Sequence, residues 1–413
     1  MTPDFLHEKI LASCDKTNSW MAARSSGLAF PFYSSFDIRD SEWKVAPVDA
    51  NLFPAGFNNI CPIDKEHAPD IAKEFLTKHY GHLGKRIALL AEEHTSNAYY
   101  WENVSAIRKI LREAGFQVQV CVPKILDQPI SVKSINGDEI LIESAQVKGG
   151  ELIVGSNSVD LIVCNNDFSN EHGDWAKGLM TAMTPPRELG WYQRRKHSFF
   201  SIYNDLVGEL AEVVGVDPFH FHVATEAVDS FDPDDEDSRE TVAARTEKMM
   251  AEMKVQYEKR NIQQNPVVFV KNDAGTYGLG VTQVQSADEI RNWNNKARKK
   301  MKAAKGGAEV QSVILQEGIP TRFLQDGAAE PCLYMIGPNP VGGFLRTHSE
   351  KGAAESLNSP GAVFKRLCIA DLQIKSAKCP MENVYGCVAR VGALALAIEA
   401  KKLGVDFRAY KNG

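Results

Sequence analysis

The chain has 413 residues, 44% hydrophobic and 24% charged, with a formal net charge of −6. That balance fits an ordinary globular protein of two or three domains, and it gives no support for non-specific nucleic-acid binding. No run of about 18 apolar residues occurs, so no membrane-spanning helix is expected, and the N-terminal MTPDFLHEKI carries charges where a secretion signal needs an apolar core.

The first 30 residues read as a polar helix followed by a linker rich in serine, alanine and glycine. Residues 32–63 are dense in polar groups set beside aromatics, glycine and proline. Residues 70–80 predict a helix, 86–91 a short apolar strand, 98–114 a helix ended by Gly115, and 117–122 the next strand. That is a β-α-β unit of ordinary length. The stretch 130–154 reads as β-rich with a turn at Asn136-Gly137, and 159–164 as a buried strand ending at Asn165-Asn166-Asp167. Together these predict an N-terminal α/β domain with polar loops at its strand ends.

Pro185-Pro186 marks a junction. Residues 191–214 predict a helix with Arg194, Arg195, Lys196 and His197 in its first turns. An acidic loop over 229–240 leads to a charged helix over 241–260. A basic helix is expected over 288–304, a strand over 313–316, a hairpin from 332–336 and 343–346, a small-residue loop over 352–362, and a long apolar helix over 384–402. Eight cysteines are scattered without a C-x-x-C pair, which argues against a zinc site and predicts reduced thiols in a cytosolic protein. None is assigned to catalysis.

The most informative stretch is 266–284, PVVFVKNDAGTYGLGVTQV. A β-rich run reaches Lys271, a turn carries Gly275, Thr276, Gly278 and Gly280, and a second extended run leaves it. Such glycines let backbone N–H groups approach an anion closely, and a lysine adds a point charge. A plain hairpin is the competing reading. The P-loop string is absent, and the glycine spacing is the reverse of the dinucleotide fingerprint. Protein kinases place their glycine loop before the lysine strand, the opposite order. Downstream, the edge of strand 313–316 offers backbone groups to an adenine, and Glu317 beyond it offers a carboxylate to a ribose hydroxyl, with an exposed loop carboxylate as the competing reading.

Within 34–59, Asp37, Arg39, Lys44, Asp49, Asn51, Asn58 and Asn59 alternate with apolar residues. An amino-acid ligand needs carboxylates for its ammonium and Arg or Lys for its carboxylates. Arg39 with Lys44, and Asp37 or Asp49, meet that need, but Asn, Asp, Pro and Gly also build turns without a ligand. Asn165, Asn166 and Asp167 at one strand end, and His94-Thr95-Ser96-Asn97 at another, are further candidate pocket loops.

The order of lysine strand, glycine flap and Q-E-x-I-P-like string resembles the ATP-grasp family, its glutathione-synthetase-like group in particular. That resemblance implies an ATP-grasp fold behind a Rossmann-like N-terminal domain. ATP would be bound by Lys271, Gly275, Thr276, Gly278, Gly280, Gln316 and Glu317, with Lys196 as the earlier phosphate-binding cation and Arg194 and Arg195 as its competitors. It divides the chain into a substrate-side domain at 1–183, a helical linker and lid at 184–320, and a C-terminal subdomain at 321–413.

SSFDIRDSEWKVAPVDANLFPAGFNNI, VVFVKNDAGTYGLGV and RTHSEKGAAESLNSPGAVF resemble, more narrowly, a proteobacterial family of glutamate–cysteine ligases. The implied reaction joins glutamate to cysteine through a γ-glutamyl phosphate, with ATP and Mg2+. Its substrates are small molecules, with neither nucleic acid nor membrane as a partner. Residues 34–59 and Asn165 then become substrate-binding, and Lys271 and Arg346 steady the phosphates. The wider fold carries an E-x-N metal pair near its C-terminus; the chain ends GVDFRAYKNG without one. Glu330, Glu355 and Asn358 are the expected metal ligands, with Glu350 a weaker candidate; Glu355 and Asn358 stand in for the missing pair, or Asn358 instead resembles a substrate-side asparagine of the wider fold.

Overall fold

The computed structural model describes residues 2–41, 43–93, 96–275, 278–303, 310–324, 327–368 and 383–412. Two helices, Thr2–Ala12 and Cys14–Ser25, stand where one was expected. Helix Pro62–Tyr80 begins well before residue 70. Pro62 sits in its first turn, where a missing N–H costs nothing. The interior Pro69, ordinarily a breaker, is what hid its first half from sequence reading.

The first of three sheets is mostly parallel. Met183–Thr184, Leu161–Cys164, Arg86–Leu90, Gln117–Val122 and Glu139–Lys148 lie side by side. Helix Ala98–Glu113 makes the predicted β-α-β crossover. The central strands are buried on both faces, as a covered parallel sheet requires.

The second sheet is antiparallel, in the order Thr225–Asp229, Ser312–Glu317, Val268–Asn272, Val281–Val284. Val268, Val270, Val313 and Leu315 pack in one cluster with Met249, Met253 and Tyr257 of helix Glu236–Glu258. Alternation along a strand then turns Phe269, Lys271 and Gln316 to the opposite face. That helix starts inside the expected acidic loop: Asp235 caps it, and Glu236 and Asp237 sit in its first turn, where the helix dipole favours carboxylates. The expected basic helix is two short ones, Ala287–Arg291 and Asn295–Met301, the second capped by Asn294.

The third sheet joins distant parts of the chain. Its antiparallel path runs Val363–Leu367, Asn339–His348, Gly327–Ile336, Tyr33–Asp40, Val45–Asn51. Residues 33–51, which carried no strand expectation, therefore form a hairpin alongside strands that begin beyond residue 321. Phe36 and Ile38 turn into the core, where helix Val384–Lys402 packs. Gly392 of that helix makes room, since a Cβ there would lie 2.5 Å from the Phe36 ring. By alternation Ser35, Asp37 and Arg39 face the other way, toward the second sheet.

One cysteine expectation is corrected. Cys61 and Cys368, 307 positions apart, form a disulfide, while Cys121, Cys164, Cys332 and Cys387 are free and buried. Spacing along the chain carries no trace of such a pair, because the third sheet is what brings its two ends together. Among the described residues no helix is long and apolar enough to cross a membrane.

Candidate active site

A cleft separates the second sheet from the third. Phe269, Lys271, Gly275, Gly278 and Gln316 line it from above, and Asp37, Arg39, Asp49, Glu330 and Arg346 from below, with Lys196 and Asn358 at its sides. Most residues expected to bind ATP thus meet several expected to bind substrate or metal.

Lys196 owes its place to the glycine hairpin. Helix Lys196–Val214 begins there rather than at residue 191. Its first backbone N–H donates to the Asp273 carbonyl at 2.8 Å, and the N–H of His197 to Asp273 Oδ1 at 2.9 Å. A carboxylate at a helix start satisfies orphan donors and suits the dipole. The Lys196 ammonium then pairs with Asp49 at 2.5 Å. Its competitors are used elsewhere. Arg194 is buried against Glu399 and the Ala50 carbonyl, both at 2.9 Å, and Arg195 donates to nearby backbone carbonyls.

Lys271 donates to Gln316 Oε1 and, at 3.0 Å, to the Val48 carbonyl of the N-terminal hairpin. Burial brings its pKa down to about 8, against the pull of Asp49. For Asp49, burial alone would raise the pKa, but Lys196 and Lys271 outweigh it and hold the carboxyl below its ordinary value. Gln316 Nε2 is buried without a partner among the described residues, so a donor remains for a ligand. Gly278 and Gly280 take positive φ, and the Gly278 position lies against the Asn358 carbonyl, so the flap touches the 352–362 loop.

The floor is an alternating row of buried charges. Asp37 accepts from Arg346 at 2.9 Å, Arg346 donates to Glu330 at 2.5 Å, and Glu330 accepts from Arg39 Nε at 2.7 Å. Arg39 also donates to the carbonyls of Ala353 and Glu355, fixing the 352–362 loop. A second cavity, of about 180 Å3, shares Asp37, Asp49, Arg346 and Asn358 with the cleft and adds Asn51, Asn59 and Asp167.

Several expected residues stand elsewhere. Glu317 borders the cleft, but its carboxylate faces away from Lys271, because it alternates with Gln316 along the strand. It accepts from Lys44 at 2.7 and 2.8 Å and from the Ala224 N–H at 3.1 Å. Lys44, expected at a substrate carboxylate, is thus committed to Glu317, and the pair lines a separate cavity beside helix Glu236–Glu258. Glu355 accepts from Lys351 and the Gly352 N–H and does not line the cleft. Asn165 donates to the Pro54 carbonyl and accepts from Asn103, positioning the 53–57 loop from behind. Asn58 and Gly280 line neither cavity among the described residues. Thr276, His94 and Thr95 lie outside the described residues. Sequence reading missed Phe269, Phe53, Tyr334 and Phe344 as cavity lining. For Phe269 a signal existed, since it stands two residues before Lys271 and so shares its face.

The profile of the family described as GshA, glutamate-cysteine ligase, matches residues 7–400. A crystal structure from Methylobacillus flagellatus KT, described provisionally as a gamma-glutamylcysteine synthetase, shares 34% identity, covers 96% of each chain and superposes with a TM-score of 0.86. D-alanyl-alanine synthetase A from Vibrio cholerae is 13% identical over 75% of this chain and 80% of that one, with a TM-score of 0.34. A glutathione synthetase-like effector from Globodera pallida is 11% identical over 88% and 85%, with a TM-score of 0.40. These last two are too distant to carry further argument. No curated protein matches the chain.

Proposed function

Since the chain belongs to the glutamate–cysteine ligase family, we propose that it joins the γ-carboxyl of glutamate to the amine of cysteine at the expense of ATP. A γ-carboxylate oxygen attacks the terminal phosphorus and ADP leaves. The amine nitrogen of cysteine then attacks the acyl carbon, the bond to phosphate breaks, and the amine proton is lost. The supporting observation is a cleft lined by Lys196, Lys271 and Arg346 that shares Asp37, Asp49 and Arg346 with a second, partly apolar cavity. Phosphoryl transfer asks mainly for positioning and charge neutralisation, and three cations around one cleft offer both. Glycines in the flap let N–H groups approach the phosphates. The Glu317 carboxylate is already satisfied, so strand 312–317 would meet adenine with backbone groups and Gln316.

Magnesium takes oxygen ligands, commonly carboxylates beside phosphate and water. Asp37 and Asp49 are cross-strand partners, and Asn51 follows Asp49 on the same face. All three line the cavities. We assign the metal chiefly to Asp49 and Asn51, with Asp37 beside them, rather than to the outward-turned Glu355; Asp37 and Glu330 both already accept from Arg346. Asp49-Ala50-Asn51 then offers a carboxylate and an amide from one strand of the N-terminal hairpin. When bound, the metal would neutralise phosphate charge.

A coupled phosphate-release assay with ATP, Mg2+ and an amino-acid panel tests the reading. Release with glutamate plus cysteine should greatly exceed release with either alone. Equal release with glutamate alone would sink it.

A further inference from the structure

The third sheet changes character along the face it turns to the cleft. At one end stand Arg39, Glu330, Asp37 and Arg346, an ionic surface. At the other end, on the same strands, Tyr334 and Phe344 pack with ring centroids 5.6 Å apart. The loop over them contributes Gly56, where a Cβ would lie 2.2 Å from Tyr334 Oη and 3.3 Å from the Phe344 ring. Only glycine lets the loop close so tightly over both rings. Asp37 and Arg346 of the ionic end and Tyr334 and Phe344 of the aromatic end line one cavity, of about 180 Å3.

Resting on the ligase reading, we propose that Tyr334, Phe344 and Gly56 form the side-chain subsite of the amine-donating amino acid and set the size and polarity it accepts. The acyl phosphate must form where Lys196, Lys271 and Arg346 converge, so glutamate presents its γ-carboxyl at the ionic end. The amine must reach the same carbon from the side away from the nucleotide, and the cavity beyond Arg346 is the space left there. Its end wall is aromatic. A short side chain bearing sulfur packs well against such rings. A long one meets Tyr334, while a polar one finds rings rather than hydrogen-bond partners at the Phe344 wall, the polar lining of Asn51, Asn59 and Asp167 standing elsewhere around the cavity.

The test uses Phe344→Ala, with Phe344→Leu as a milder second variant, and thermal melting to confirm that each is folded. At saturating ATP and glutamate, kcat/KM is measured for cysteine, 2-aminobutyrate, serine, methionine and leucine. The unaltered protein should prefer cysteine and 2-aminobutyrate. Phe344→Ala should lower kcat/KM for cysteine about 10–200-fold, the usual worth of pocket contacts. It should also move the methionine-to-cysteine ratio at least about tenfold toward methionine, with Phe344→Leu between the two. The KM for glutamate should stay within about twofold, because those contacts lie elsewhere. An unchanged amine ratio, or a raised glutamate KM with the amine ratio constant, would overturn this subsite. Failure of the unaltered protein to release phosphate in response to glutamate and any amine would instead bring down the ligase reading, and this inference with it.

Discussion

The two walls of the cleft hold their charges in opposite ways. On the floor, Asp37, Arg346, Glu330 and Arg39 alternate in sign, are largely shielded from solvent, and are bonded to one another before any ligand arrives. Above, Lys271 stands on a glycine-rich hairpin, bonded among the described residues to an amide and a backbone carbonyl and lying over the Phe269 ring at 5.4 Å. The floor is therefore fixed by its own ion pairs, whereas the lid's cation has no carboxylate bonded to it among the described residues and stands ready for the phosphate of the proposed reaction. Removing a charge from the floor should injure the fold first, and removing one from the lid should injure the chemistry first.

The largest effect tests the floor. Glu330→Ala removes the carboxylate partner of Arg39 and one of the two partners of Arg346, and breaking a buried pair by deleting one partner costs about 3–5 kcal/mol. Urea unfolding should show that loss as a lower midpoint at unchanged slope. A midpoint equal to the parent's would mean that the floor is not held by its ion pairs. The lid comes next. Lys271→Ala should lower turnover about 10²–10³-fold, the scale on which one well-placed charge-stabilising donor acts, while its unfolding midpoint stays close to the parent's. Full activity in that variant would remove Lys271 from the phosphates, and a stability loss matching that of Glu330→Ala would erase the contrast between the walls.

That contrast also explains what the sequence made legible. Strand 268–272, its lysine and its glycines are contiguous, so the lid could be read as a motif. The β-α-β unit at 86–122 was equally local. The floor is assembled from 33–51 and 327–348, and no local pattern says that these pair. The polar residues at 34–59 were visible as a set but not as a wall. Alternation within a hairpin divides them, sending Asp37, Arg39 and Asp49 to the cleft while the hairpin's tip carries Lys44 across to Glu317. The same alternation separated Gln316 from the Glu317 carboxylate, a division that follows from period two once the strand's facing is known. For the disulfide between Cys61 and Cys368, only the folded third sheet supplies the proximity.

The smallest predicted effect uses the Lys271 ammonium as a reporter of the lid. Its pKa is brought down to about 8, chiefly by burial. In the free enzyme it is charged below that pH and neutral above it, and the proposed phosphate contact needs the charged form. The kcat/KM for ATP should therefore be flat below about pH 8 and fall up to tenfold per unit above it, since this parameter reports free-enzyme groups. Stability should move the other way: between about pH 8 and the ordinary lysine range the unfolded chain holds a proton that the folded one has lost, so raising pH favours folding. Lys271→Arg separates this group from other titrations, because a guanidinium stays charged throughout. Whatever rate that variant retains, its ATP profile should lose the break near pH 8. A break that persists there would assign the titration to another group and leave the lid's cation charged at every pH tested, which would draw the two walls closer together than the geometry suggests.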